Sequence, residues 1–245
     1  MSLTDSMRAQ GNWMFRYRSY LPLILVVMAV FALMQKRPVE TFDLLEDVVE
    51  GICIGLSMLG LAIRVITVGY VPKRTSGRNT KRQVADELNT TGIYSVLRHP
   101  LYLGNFLMWL GIVLFAQSLW FTFSFLLLFT FYYERIMIAE EAFLKQKFGQ
   151  AYIEWSERTP AFFPRFSQWK PARLPFSVRS VLRREYSGVL AMVFCFVFVE
   201  VLGDLFKERH FELDRDWVIT LCVAVALYLV LRTMKKARLL DAEGR

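Results

Sequence analysis

The chain has 245 residues, 55% hydrophobic and 21% charged, with 30 Lys and Arg against 22 Asp and Glu for a formal charge of +8. Its apolar residues are gathered into long blocks instead of recurring at a helical or strand period, which excludes an ordinary soluble domain. Cys53, Cys195 and Cys222 each lie in an apolar run and leave no zinc ligand set, and basic residues beside apolar blocks fit anionic lipid headgroups better than nucleic acid.

In chain order, the first eighteen residues carry Arg8, Arg16 and Arg18 and lead into an apolar run at Tyr20. No small-residue cleavage site follows, so residues 20–34 are expected to form an uncleaved first span, with Pro22 in its first turn, where a missing N–H costs little. A second span is expected over residues 48–71, containing Gly51, Gly55, Gly60 and the intramembrane Arg64. Arg64 has two readings, a structural anchor that snorkels or pairs with a buried acid, and a member of a polar substrate cavity. Spans three and four, residues 101–116 and 119–138, are separated only by Gln117 and Ser118, which forces a tight antiparallel hairpin. Beyond them, residues 140–155 read as a helix interrupted at Gly149 and extending span four. Pro160, Pro164, Pro171 and Pro175 alternate with aromatic residues, the pattern of a strap at the membrane interface or beneath the catalytic part. Spans five and six are expected at residues 186–203 and 217–231.

Loop charge alternates in sign. Glu40, Asp43, Glu46 and Asp47 outnumber Lys36 and Arg37 before span two, whereas Lys73, Arg74, Arg78, Lys81, Arg82 and Arg98 dominate after it. Acids again exceed bases over residues 204–216, and the tail holds Lys235, Lys236, Arg238 and Arg245. By the positive-inside rule, six crossings place both termini and the connections at 72–100 and 139–185 in the cytoplasm. The expected architecture is an all-α polytopic membrane protein of about six helices with a cytoplasm-facing cofactor pocket. Its expected parts are N-terminal membrane helices over 1–71, a core with the helical hairpin over 72–165, a basic, proline-rich linker over 166–185, and a C-terminal helix pair with basic tail over 186–245.

Chemistry concentrates at the start of span three. Pro100 suits a first helical turn, and the free amides there favour an anionic group beside Arg98 and His99. Tyr102 and Asn105 follow at three-residue steps on the same face, and Gly104 lets a helix or flat ligand approach. His99 is a candidate hydrogen-bond donor or proton carrier. The hairpin returns Glu134, Arg135, Glu140 and Glu141 to the same side as Arg98 and His99. No nucleotide-binding, P-loop, serine-hydrolase or zinc-hydrolase signature occurs.

The run GIY-x3-RHP-x-Y-x-G over residues 92–104, then ER-x4-EE-x2-L-x3-FG-x2-Y over 134–152 with Pro160 and Pro164, resembles the isoprenylcysteine carboxyl methyltransferase and phospholipid methyltransferase superfamily across residues 70–165. The resemblance implies S-adenosylmethionine-dependent methyl transfer to a membrane lipid or lipidated acceptor, in an integral protein of a bacterial inner membrane or its equivalent. It implies that Arg98, His99, Tyr102, Gly104, Glu140 and Glu141 hold the methyl donor. Arg64, Asn105 and Arg135 then hold the acceptor, and His99, Arg135 and Glu141 are the expected catalytic residues, with no metal. A carboxylate or phosphate acceptor needs no general base, whereas an amine would lose a proton to Glu140, Glu141 or His99. The helix pair at 186–231 departs from the pattern and leaves the acceptor open. A nicotinamide-dependent membrane reductase and a nonenzymatic lipid transporter or assembly protein are the alternatives.

Overall fold

A computed structural model of the protein describes residues 2–35, 43–72, 75, 83–208 and 214–242. Lys36, Arg37, Glu40, Lys73, Arg74, Arg78, Lys81, Arg82 and Arg245, on which part of the charge alternation rests, lie outside the described residues.

The chain opens with a helix that the hydropathy blocks do not announce. Leu3–Tyr17 (α1) is amphipathic and begins with a capping box, in which Ser2 Oγ accepts from the Asp5 amide and the Asp5 carboxylate accepts from the Ser2 amide, satisfying two amides that a helix start leaves unpaired. It bends by 80° into Leu21–Met34 (α2). Asp43–Tyr70 (α3), Pro100–Phe115 (α4) and Leu119–Phe148 (α5) follow. Gln150–Arg158 (α6) continues α5 after a break, and Val178–Glu208 (α7) and Arg215–Lys236 (α8) complete the helices. The linker expected over 166–185 therefore gives way to helix at Val178.

Four segments, Asp47–Tyr70, Leu119–Phe148, Val178–Phe206 and Arg215–Lys236, are long and apolar enough to cross a membrane, and the bent α1–α2 pair makes a possible fifth. This supports a polytopic membrane protein, with four or five segments among the described residues that meet the length and apolarity of a span, against six expected. The two helices that fall short are α2, with 14 residues, and α4, with 16. At 1.5 Å per residue neither spans the roughly 30 Å of a hydrocarbon core by itself.

Small residues set the helix contacts. A Cβ at Gly60 would stand 2.5 Å from the Gly104 carbonyl oxygen and 2.6 Å from the Met108 amide nitrogen, and Ser57 Oγ donates to the Met108 carbonyl at 2.8 Å. Positions 53, 57, 60 and 64 of α3 thus meet 111, 108 and 104 of α4 in reverse order, a close antiparallel crossing of the kind that small side chains permit in membranes. The three-residue turn after α4, residues 116–118, makes the α4–α5 hairpin, with Gln117 at φ 50° and Phe106 against Phe125 and Phe129.

Helix α1 lies antiparallel along the far half of α5. Tyr132 donates to the Met14 carbonyl at 2.6 Å, Gly11 rests on the Arg135 carbonyl, and Arg8 donates to Gln146. Gly149, at φ 55°, separates α5 from α6 in a conformation that side chains disfavour.

The proline-rich segment after α6 is bound to the stretch ahead of α4. The Arg98 amide donates to Pro160, Arg165 to Val96, and Gly92 to Lys170, each at 2.9 Å, and Ser177 donates to Gly69 at 2.9 Å. Proline cannot donate at its own nitrogen, and Pro160 takes part through its carbonyl. Helix α7 packs against α2, α3 and α4, and α8 lies outside it with only Ala224 and Leu231 buried.

Candidate active site

The loop ends of α3, α4, α5 and α7 surround a cavity of about 740 Å³, within the size range of small-molecule sites. Residues 83–99 and α6 wall its other side. The helix-breaking Pro100 starts α4 and leaves His99 as its N-cap, so the imidazole stands where the chain turns into the membrane.

His99 is 6% exposed and is held from two directions. Its Nε2 lies 2.9 Å from Glu141 Oε1 and its Nδ1 3.5 Å from Glu140 Oε2. The same Glu141 oxygen takes Arg98 Nη1 at 2.8 Å, and the same Glu140 oxygen accepts from Tyr102 Oη at 2.9 Å. Burial works against the imidazolium, but the hydrogen bonds and charges of Glu140 and Glu141 outweigh it and raise the His99 pKa above its ordinary value. The group is therefore better placed to keep a proton than to take one.

Beside this cluster Asn105 accepts from Arg64 Nη1 and donates to Tyr133 Oη at 3.2 Å. Arg64 is also clasped by Glu185, Nε to Oε2 and Nη2 to Oε1, at 2.8 Å each. Tyr133 meets Tyr102 with ring centroids 4.9 Å apart, so the two polar clusters share a wall.

Three buried side-chain atoms among the described residues have no hydrogen-bond partner: Gln83 Nε2, Arg98 Nε and Tyr152 Oη. All three residues line this cavity. The Tyr152 hydroxyl stands beside Arg98 and Glu141, out of hydrogen-bonding geometry with them, and burial pushes its pKa well up, leaving it a neutral donor. Buried polar atoms left unpaired cost about 1–3 kcal/mol each, and three around one cavity indicate that its contents supply the partners.

The structure brings together most of the residues singled out in the sequence and disperses the rest. Arg64, Arg98, His99, Tyr102, Asn105 and Glu140 line the cavity. Glu141 is not among the lining residues and backs His99 and Arg98 instead. Gly104 is buried against α3, where a Cβ would meet Arg64 Cγ at 2.6 Å, so its contact is with a helix. Arg135, expected to hold the acceptor and act in catalysis, faces away from the cavity. Its guanidinium pairs with Glu134 at 2.8 Å, donates to Gln10 of α1 and covers the Phe131 ring. Glu185 and Tyr133 are contributors that the sequence reading did not name. An acid at the edge of an apolar span is a signal for the first, and its position two turns before Glu140 for the second.

Among known proteins, the phospholipid methyltransferase family profile matches residues 52–151. The cobalt-zinc-cadmium resistance protein CzcN of Cupriavidus metallidurans is 34% identical over 122 residues, 50% of this chain and 54% of that protein. The nickel-cobalt-cadmium resistance protein NccN of Alcaligenes xylosoxydans xylosoxydans is 32% identical over 115 residues, 47% of this chain and 51% of that protein. Protein-S-isoprenylcysteine O-methyltransferase B of Arabidopsis thaliana is 36% identical over 95 residues, 34% of this chain and 43% of that enzyme. The match thus spans about half the length of the two resistance proteins and less of the plant enzyme. No solved structure matches the chain. Through the segment that carries His99, Glu140 and Glu141, the chain is related to the phospholipid and isoprenylcysteine methyltransferase superfamily.

Proposed function

We propose that the cavity binds S-adenosylmethionine and that the protein transfers its methyl group to an oxygen or nitrogen of a membrane lipid or lipidated acceptor. The observation that carries this reading is the set of unpaired buried donors on Gln83, Arg98 and Tyr152 around a cavity that also presents the Glu140 carboxylate. Donors of this kind suit a carboxylate or the hydroxyls and ring nitrogens of a nucleoside, and a carboxylate suits an ammonium or a sulfonium. Trp155 and Tyr94 add aromatic surface on the same wall for a flat base.

When bound, S-adenosylmethionine supplies an activated methyl on a sulfonium. The chain's own work is orientation and exclusion of water. Arg98 and Glu140 bind from the loop side, and Tyr102 and His99 fix the Glu140 carboxylate. Glu141 locks His99 and Arg98 from behind. Asn105 and Arg64, which line the same cavity, hold the acceptor in this reading. His99, protonated between two carboxylates, is a positioning residue in this reading and leaves an amine acceptor's proton to another group. The charge of the basic loops supports a cytoplasmic face for the cavity in this reading.

Among the described residues no group of three His, Cys, Asp or Glu is placed to hold an ion. Binding of labelled S-adenosylmethionine to detergent-purified protein is the test. Binding that is lost in folded H99A and E140A variants supports the reading. Retention of a nicotinamide cofactor with no methyl-donor binding replaces it with the reductase.

A further inference from the structure

A cation inside a membrane helix persists only where something compensates it. Arg64 is compensated by Glu185, a residue of α7 that is 3% exposed and lies beyond the 52–151 segment matched by the methyltransferase family. The clasp is bidentate at 2.8 Å on both arms, a fork that fixes the guanidinium plane as well as its position. The nitrogen left over, Nη1, donates to Asn105 Oδ1, and Asn105 Nδ2 donates to Tyr133. One line of hydrogen bonds therefore runs from α7 through α3 and α4 to α5, and all four of its side chains line the cavity.

We propose that Glu185 is a positioning residue of the methyl-transfer site, holding Arg64 and through it the Asn105 amide in one orientation at the acceptor side, so that α7 is a functional wall of the cavity. This inference rests on the methyl-transfer reading given above. Without the clasp, Arg64 keeps its charge and loses both parallel bonds, and its long side chain turns toward the aqueous end of α3. Asn105 then loses the partner that tells its oxygen from its nitrogen. The donor-side cluster gets its hydrogen bonds from residues 98–102 and from α5, none of them from Glu185. Donor binding and methyl transfer are therefore separable by substitution at this position.

The test uses the full-length protein, labelled S-adenosylmethionine, and membranes of source cells lacking the gene as acceptor. In E185A, donor affinity stays within about threefold of the native protein while methyl incorporation falls by about tenfold or more. E185Q, which keeps the shape and loses the charge, falls between. The double variant R64M/E185L separates position from stability, because replacing a buried ion pair by apolar residues commonly restores or raises stability. It regains the native melting temperature and stays as poor in transfer as E185A. Recovery of both melting temperature and transfer in that variant overturns the proposal, as does full transfer by E185A. A native protein that binds no donor, or labels nothing in those membranes, overturns the methyl-transfer reading itself and this inference with it.

Discussion

His99 has both ring nitrogens committed to carboxylates, and that arrangement has a thermodynamic sign. Its pKa is raised on folding, so the folded protein binds this proton more tightly than the unfolded chain does. The stabilisation is complete below the unfolded value of about 6.5 and is lost as pH rises through the folded value. The melting temperature of the native protein should therefore fall as the solution is made alkaline through that window, and a pH series on H99Q should show a smaller fall. A slope shared equally by both proteins would mean that another group titrates. Tyr152→Phe removes an unpaired buried hydroxyl without changing shape. It should leave the melting temperature unchanged or higher and weaken binding of labelled S-adenosylmethionine by about 0.5–1.5 kcal/mol, the worth of one neutral hydrogen bond.

Residue spacing alone already separates Arg135 from the site. It lies five and six positions before Glu140 and Glu141, which at 100° per residue is about 140° and 120° round the helix. Tyr133, seven before Glu140, falls on the same face, and the structure sets it on the cavity wall. The convergence of Arg98 and His99 with the paired acids was legible because so short a turn admits only a hairpin. The Arg64–Glu185 clasp was not, since nothing local in either segment says which face of α3 meets which face of α7.

At the scale of elements, the glycine contacts are the most sensitive points. A side chain at Gly11 would strike the Arg135 carbonyl of α5, a backbone atom that cannot step aside. Gly11→Ala should destabilise the protein by about 1–3 kcal/mol through overpacking, seen as a lower melting temperature. Gly51, whose added Cβ would meet nothing within 4 Å, is the control, and Gly51→Ala should be close to neutral. The long apolar blocks announced α3, α5, α7 and α8. They were silent on α1, whose residues from Leu3 to Tyr17 mix Arg8, Arg16 and Asp5 with its apolar face and become a helix because α5 is there to cover that face.

For the whole molecule, α7 serves the site while α8, with two buried residues, contributes little to the core. A chain ending after residue 208 should keep binding labelled S-adenosylmethionine, though more weakly because Lys235 and Asp241 also line the cavity. A chain ending after residue 177 loses Glu185 and the cover of α3 and α4, and should melt at a markedly lower temperature or fail to fold. The orientation inferred from charge has its own check. Single cysteines placed at position 77 and at position 211, in a background without Cys222, should label from opposite sides of sealed vesicles.

The backbone bonds of the strap have a consequence for biogenesis. Arg98 and His99 owe their main-chain partners to Pro160 and Ala161, and Arg64 owes its counter-ion to Glu185. A growing chain that has already inserted α3, α4 and α5 therefore still has a half-made pocket. The pocket closes only when some eighty residues more than its RHP motif have left the ribosome, so its assembly is a late event in synthesis.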